Sequence, residues 1–146
     1  MLLKIKKVKE FEDLPTPKFM TSGAVGMDIY AAVNDTTILK PGERKLIPAG
    51  ICLEIPMGYE AQVRPRSGLA IKHGITLVNT PGTIDWDYRG EIKVILINLG
   101  EEDFPIQRGD RIAQIVFNKV EIPQIEVVEH IDSTDRGSGG FGSTGK

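Results

Sequence analysis

The chain has 146 residues, of which 40% are hydrophobic and 26% charged, and a formal net charge of −2. This composition is typical of one globular domain, and the near-neutral charge gives no electrostatic reason to expect a nucleic acid partner. The sequence has no signal-peptide pattern and no apolar stretch of the ~20 residues that a membrane span needs, so we expect a cytoplasmic protein. The one cysteine, Cys52, lies in an apolar run, which predicts a buried, reduced thiol.

Short runs rich in Ile and Val, separated by glycines and prolines, predict β-strands along most of the chain. Strands are expected in LKIKKV (3–8), GYEAQVRP (58–65), GEIKVILINLG (90–100) and DRIAQIVFNKV (110–120). The run ERKLIPAGICLEIP (43–56) predicts two strands around a turn at Pro48–Gly50. The run ITLVNTPGTI (75–84) predicts a hairpin with a Pro-Gly turn.

Helical patterns are nearly missing from the sequence. Only SGLAIKHG (67–74) suits a helix, of about one or two turns, and no segment has the length of a βαβ unit. The sequence therefore predicts an all-β fold: a sandwich, jelly roll or barrel with at most one short helix.

Three polar clusters interrupt these strands. In RPRSGLA (64–70), Arg66, Ser67 and Gly68 lie where a strand breaks into the possible helix, which suits either anion binding or a serine N-cap. In NTPGTIDWDYRGE (79–91), Asp85 and Asp87 flank Trp86 and would share one face of a strand. They could bind a metal, divide acid–base work or lie on a solvated hairpin.

The remaining candidates are isolated polar residues. Asp28 follows a Gly-x-x-Gly and could be a turn aspartate or a metal-facing carboxylate. Gln114 lies among apolar neighbours, so its amide needs a hydrogen-bond network or a polar pocket.

The C-terminal segment is rich in glycine and could be a frayed terminus, but it contains Arg136 and Phe141, which suit phosphate binding and base stacking. Its end, GFGSTGK (140–146), partly matches a phosphate-binding P-loop, but the βαβ surroundings of a P-loop are missing.

Taken in order, five segments resemble the five motifs of the homotrimeric dUTPases. They are AVGMDIYA (24–31), PRSGLA (65–70), NTPGTIDWDYRGEI (79–92), RGDRIAQIVF (108–117) and RGSGGFGSTG (136–145). The resemblance implies Mg²⁺-assisted hydrolysis of dUTP to dUMP and pyrophosphate by attack of water on the α-phosphorus. This would limit uracil incorporation into DNA and supply dUMP for thymidylate synthesis. It also implies a jelly-roll trimer whose sites are each built from three chains.

Site roles follow from the resemblance position by position. Asp85 matches the carboxylate that positions the attacking water, and Tyr88 matches the ring against the deoxyribose. Asp28 matches the residue that reaches the metal through water. Uracil is expected to contact Asn79, Thr83, Ile84 and Phe141; the phosphates are expected to contact Arg66, Ser67, Gly68, Gln114, Arg136, Ser143 and Thr144.

We expect residues 1–131 to form the jelly-roll core and residues 132–146 to form a flexible lid. Two alternatives are a dCTP deaminase-like enzyme, for which the hairpin offers no glutamate before Glu91, and a non-catalytic nucleotide-binding jelly roll. Neither a nucleic acid nor a membrane is expected as a partner.

Overall fold

The computed structural model describes residues 1–140 and confirms an all-β fold with one short α-helix. The strands are β1 (Lys4–Lys7), β2 (Gly26–Tyr30), β3 (Thr37–Leu39), β4 (Arg44–Glu54), β5 (Tyr59–Arg64), β6 (Ile75–Leu77), β7 (Gly82–Ile84), β8 (Glu91–Asn98), β9 (Phe104–Ile106) and β10 (Arg111–Lys119). The helix α1 spans Ser67–His73, and a single 3₁₀ turn spans Lys9–Phe11.

Two four-stranded antiparallel sheets enclose the core in a jelly-roll-like sandwich. Their strand orders are β1-β4-β8-β6 and β2-β10-β5-β7, and β3 pairs with β9 in a small third sheet. Both large sheets turn one face inward, as period-two patterns require. The inward side chains form one cluster that includes Ile29, Ile47, Leu53, Ala61, Val63, Ile92, Val94, Leu96, Ala113 and Ile115.

The segment 43–56 forms one strand, so the prediction of two strands around a turn is wrong. β4 pairs with β8 on both sides of a register shift between Pro48 and Cys52. Gly50 has φ 67° there, and a Cβ atom at this position would lie 2.8 Å from Phe11 Cβ. The carbonyl groups of the displaced residues accept hydrogen bonds from outside the β4–β8 pair: Val8 N–H donates to Gly50 O, and Ala32 N–H donates to Pro48 O. A bulge thus absorbs the Pro-Ala-Gly sequence without ending the strand.

The hairpin predicted for residues 75–84 is also wrong. β6 pairs with β8, whereas β7 pairs with β5 in the opposite sheet, so the Asn79–Pro81 bend carries the chain from one sheet to the other. Thr80 Oγ1 donates a 2.7 Å hydrogen bond to Leu77 O and fixes the start of this bend. The crossing places β7 and the following turn at an edge of the second sheet.

A second bulge lies in β10, beside β2. Arg111 pairs with Tyr30 and Ala113 pairs with Ile29, so one extra residue, Ile112, lies between two positions that face neighbours on β2. Ile112 and Ala113 are both buried. Arg111 therefore lies on the same outer face as Gln114, which strict alternation would not allow.

Asn98 ties the end of β8 to two other segments. Its side chain is fully buried; Nδ2 donates to Leu39 O at 2.9 Å and Glu102 O at 2.8 Å, and Oδ1 accepts from Gly100 N–H at 2.8 Å. Every polar atom of this amide has a partner, which makes its burial tolerable.

The part of the chain after β10 differs from the core. No hydrogen bond within the described range joins residues 121–140 to residues 1–120. Five large apolar side chains of this segment are exposed: Ile122, Ile125, Val127, Val128 and Ile131. No helix in residues 1–140 is long and apolar enough to cross a membrane.

Cys52 is half-buried, contrary to the prediction of a buried thiol. It lies on the face of β4 opposite the core residues Ile51 and Leu53.

Candidate active site

A buried carboxylate organises the first group of predicted residues. Asp28 lies in the middle of β2, so the interpretation as a turn aspartate is wrong, and 4% of its side chain is exposed. Its Oδ1 lies 3.2 Å from Arg66 Nε, and its Oδ2 accepts a 3.1 Å hydrogen bond from Arg111 Nη1. Two guanidinium groups therefore compensate the buried charge of this aspartate.

Arg66 is held from two directions at the start of α1. Its Nη1 donates a 2.9 Å hydrogen bond to Arg111 O, while the contact of its Nε with Asp28 is an ion pair without hydrogen-bond alignment. Within residues 1–140, Nη2 has no hydrogen-bond partner. One edge of the guanidinium is thus fixed by protein, and the Nη2 donors remain for a ligand.

Ser67 is the first helical residue, so the serine N-cap interpretation is wrong. The N-cap position is Arg66, whose extended backbone has no side-chain cap. Ser67 and Gly68 are both exposed, and a Cβ atom at Gly68 would meet no atom within 4 Å.

Gln114 joins this group through strand register. It lies opposite Asp28 on one side and Arg64 on the other. Its Nε2 is 3.5 Å from Asp28 Oδ1, at the outer limit of a hydrogen bond. This position agrees with the predicted polar network.

Arg111 belongs to this group but was missed by the sequence interpretation. Period-two alternation counted back from Gln114 turns Arg111 toward the core, and only the bulge in β10 reverses this direction. The charged residue at the start of an otherwise apolar strand was the available signal.

The second group of predicted residues surrounds β7. Thr83 and Ile84 belong to this strand, and Asp85 follows it in a turn closed by Tyr88 N–H donating to Asp85 O at 3.2 Å. Asp85 and Asp87 thus lie in a turn after the strand, so the expectation that they share one face of a strand does not apply. Both carboxylates are exposed.

A pocket of ≈ 320 Å³ opens beside this turn. It is lined by Leu46, Thr83, Ile84, Asp85, Tyr88, Glu91, Ile92 and Lys93. Apolar side chains and one unpaired carboxylate thus share one concave surface, which is a common composition of ligand sites.

Two contacts shape the turn and its aromatic ring. Tyr88 Oη donates a 3.1 Å hydrogen bond to Glu91 O. Arg89 Nη1 donates to Trp86 O at 2.7 Å and to Tyr88 O at 3.1 Å. The tyrosine ring is therefore held at the pocket rim by hydrogen bonds within residues 86–91.

Asn79 lies at the other end of β7. Its Nδ2 would lie 2.9 Å from a Cβ atom at Gly82, so the missing side chain of this glycine makes room for the amide.

The two groups do not meet within one chain. Asp28 is on β2 and Thr83 is on β7, at opposite edges of the sheet β2-β10-β5-β7. Arg66 and Arg111 border one surface pocket, and the pocket beside Asp85 and Tyr88 shares no lining residue with it. A single chain thus presents two half-sites on different parts of its surface.

Arg136 makes no hydrogen bond with either group within residues 1–140. It is exposed, and its Nε donates to Gly139 O at 2.8 Å within two overlapping turns, Thr134–Gly137 and Arg136–Gly139. The predicted residues Phe141, Ser143 and Thr144 lie outside the described residues. The domain boundary at residue 131 stays a prediction, because the last strand ends earlier, at Lys119.

Within residues 1–140, no cluster of three or more His, Cys, Asp or Glu side chains could hold a metal ion. Asp28 has both carboxylate oxygens in contact with guanidinium groups, which leaves a contact through water as the chemically suitable way to reach a divalent cation. Its role in metal binding stays a prediction.

Comparison with families and curated proteins gives one consistent result. The family model described as dUTPase matches residues 12–145. A deoxyuridine 5'-triphosphate nucleotidohydrolase of a Thermoanaerobacter species is 59% identical over 99% of this chain and 98% of its own length. The protein of the same name from Brucella melitensis is 57% identical over 98% of this chain and 92% of its own length.

Solved structures agree. A mutant dUTPase of Staphylococcus bacteriophage 80alpha, solved with dUpNHpp, has a TM-score of 0.89 at 25% identity and covers 99% of both chains. A mutant dUTPase from S. aureus phage phi11, described as coordinating a structural Mg(II) ion, has a TM-score of 0.80 at 22% identity, covering 89% of this chain and 98% of its own.

Proposed function

Since the chain belongs to the dUTPase family, we propose that the pocket beside Asp85 and Tyr88 is where it hydrolyses dUTP to dUMP and pyrophosphate. The activity is that of a dUTP diphosphatase, as in its curated relatives. The observation that carries this placement is the unpaired Asp85 carboxylate at the rim of a partly apolar pocket.

Asp85 acts as the general base. Its side chain is exposed and accepts no hydrogen bond within the described part of the chain, so its oxygens are available to a water molecule. The carboxylate takes a proton as the water oxygen bonds to the α-phosphorus and pyrophosphate departs. Such a positioned base typically contributes 10²–10⁴-fold to the rate.

Tyr88 and Asn79 select the nucleoside. The Tyr88 ring is fixed through its hydroxyl at Glu91 O, and a deoxyribose packed against it leaves no room or partner for a 2′-hydroxyl. The Asn79 amide, with the backbone of Thr83 and Ile84, reads the uracil edge. The apolar pocket wall favours the deoxyribose over the more polar ribose.

The first group binds the phosphates. Arg66 offers its free Nη2 donors, Ser67 and Gly68 lie exposed beside it, and Gln114 completes the polar face. Together they neutralise the charge that develops on the leaving pyrophosphate. Arg136, Phe141, Ser143 and Thr144 add the contacts of a closing lid formed by residues 132–146.

Magnesium fits this site as an ion held mainly by the substrate. Mg²⁺ keeps several waters and prefers oxygen ligands, which agrees with a site that offers Asp28 alone and only through water. When bound, it supplies charge neutralisation on the phosphate oxygens.

A homotrimer brings the two half-sites together. Arg66 and Asp85 border separate surface pockets of one chain, so a single chain does not place Asp85 against phosphates held at its own Arg66. A second copy supplies the missing half, and the exposed apolar side chains of residues 121–131 pack on a neighbouring copy.

By producing dUMP and removing dUTP, the enzyme limits uracil incorporation into DNA. The expected cytoplasmic location stays a prediction.

Pyrophosphate release from dUTP tests this function, with dCTP and dTTP as substrate controls. Asp85→Asn is expected to keep dUTP binding and lose at least nine-tenths of turnover, whereas Asp87→Asn, in the same exposed turn, should keep most of it. Ammonia release from dCTP would favour the deaminase alternative. Binding of dUTP without any hydrolysis would favour the non-catalytic one.

A further inference from the structure

We propose that Arg111 is a positioning residue of this site, which holds Arg66 in its phosphate-binding orientation through the shared Asp28 carboxylate and its own backbone carbonyl. This inference rests on the proposed function. Nothing in the five-motif resemblance gave Arg111 a role.

The argument begins with the ring of contacts among three residues. Arg111 Nη1 donates to Asp28 Oδ2 at 3.1 Å, Asp28 Oδ1 lies 3.2 Å from Arg66 Nε, and Arg66 Nη1 donates to Arg111 O at 2.9 Å. Arg111 is thus linked to Arg66 twice: directly through its backbone carbonyl, and indirectly through the Asp28 carboxylate that both side chains contact. The ion pair with Asp28 holds the Nε side of the Arg66 guanidinium, and the hydrogen bond from its Nη1 to Arg111 O fixes its direction.

Charge gives Arg111 a second effect. A buried Asp28 paired with Arg66 alone would be neutral and would attract a polyphosphate weakly. Two guanidinium groups and one carboxylate leave one net positive charge in the cluster. Arg111 therefore lets Asp28 orient Arg66 without cancelling the positive charge that an anionic ligand meets.

The bulge in β10 determines to which face of the sheet the Arg111 side chain points. It turns Arg111 out of the core and onto the face that carries Asp28 and Gln114. The side chain remains 46% exposed, and it borders the same ≈ 490 Å³ surface pocket as Arg66. An extra residue in a strand beside a charged cluster is typical of bulges that re-aim a side chain at a functional site.

Arg111→Ala should reduce kcat/KM for dUTP by about 10- to 100-fold, the cost of losing a charge-assisted contact. Arg111→Lys should recover part of this loss, since its ammonium can still reach one Asp28 oxygen. Arg64→Ala is the matched control: it removes the same charge from the same sheet face, but Arg64 bonds Gln62 and has no contact with Asp28. It should change kcat/KM less than threefold.

The decisive measurement is a double-mutant cycle with Arg66→Ala, read by binding of α,β-imido-dUTP in the intact trimer and by the thermal midpoint. If Arg111 acts through Arg66, Arg111→Ala should weaken binding strongly in the wild type and less than threefold in the Arg66→Ala background.

Equal losses in both backgrounds would show that Arg111 acts independently of Arg66, through its own charge or its own contact with the substrate, and this would overturn the positioning role. An unchanged kcat/KM in Arg111→Ala would also overturn it, and so would a loss of binding that only follows a loss of folded protein. A wild type that leaves dUTP intact would refute the proposed function instead; the same cycle with inorganic triphosphate then decides the inference.

Discussion

Complementation between two inactive variants tests whether each site is shared between chains. One variant is Asp85→Asn, which loses the base but keeps its C-terminal segment. The other ends after Asp135 and so lacks Arg136 and Phe141, but it keeps Asp85. The truncation should leave the core folded, because no hydrogen bond within the described range joins residues 121–140 to residues 1–120.

The expected recovery follows from the geometry of a closed three-fold ring. If each site takes Asp85 from one chain and the C-terminal segment from another, every mixed trimer contains one intact site in three. Random assembly of equal amounts makes about three quarters of the trimers mixed, so roughly a quarter of the wild-type activity should return.

The assay is pyrophosphate release after unfolding the two variants, mixing them one to one and refolding them. Mass measurement of the intact trimers confirms that the subunits have mixed. Asp85→Asn mixed with a second preparation of itself is the control and should stay inactive. Activity near zero in verified mixed trimers would refute the shared site, since it would mean that the base and the C-terminal segment of one chain serve the same pocket.

Three further predictions concern specificity and stability. UTP should be a poorer substrate than dUTP by about 3 kcal/mol, or roughly a hundredfold in kcat/KM, because a 2′-hydroxyl is desolvated against Tyr88; equal values would remove this role from Tyr88. Asn98→Ala should lower the free energy of unfolding by about 3 kcal/mol, measured by urea denaturation, because it leaves three backbone groups without their partner; a loss under about 1 kcal/mol would contradict this account. The hydrogen bond from Arg108 lowers the pKa of Asp13, so its stabilisation is present above the ordinary pKa of about 3.9 and is lost as the pH falls through the lower folded value. The difference in urea midpoint between the wild type and Asp13→Asn should therefore shrink in acid, and a constant difference from pH 7 to pH 2 would exclude the ion pair as its source.

Local pattern was enough to predict the fold class. The alternation in β1 and β5 is a period-two signal, the long apolar runs of β8 and β10 are a separate strand signal, and the helix α1 was expected in its observed segment. The predictions failed where tertiary pairing decides. β6 and β7 read as a hairpin because Pro-Gly follows an apolar run, but each strand finds its partner in a different sheet.

The candidate site was predictable from residue types and order, but its arrangement was not. The motifs singled out Asp85, Tyr88 and Arg66, but the residue pattern alone does not show that the first two border a different surface pocket from the third. Arg111 was missed for a related reason. Its direction depends on one extra residue in β10, and a pattern of polar and apolar letters does not reveal which residue of a strand is unpaired.

The extra residue in β10 also makes the strand sensitive to its own length. A strand repeats every two residues, so the bulge inverts the phase of everything on its N-terminal side. Inserting one residue between Arg111 and Ile112 would turn Arg111 toward the interior and leave Gln114 in place, whereas deleting Ile112 would close the bulge and leave Arg111 paired with Tyr30 on the outer face. Substitution at Ile112 keeps this phase, whereas an insertion does not. We therefore expect natural variation at Ile112 to consist of exchanges between apolar residues, with no residue inserted between Arg111 and Gln114.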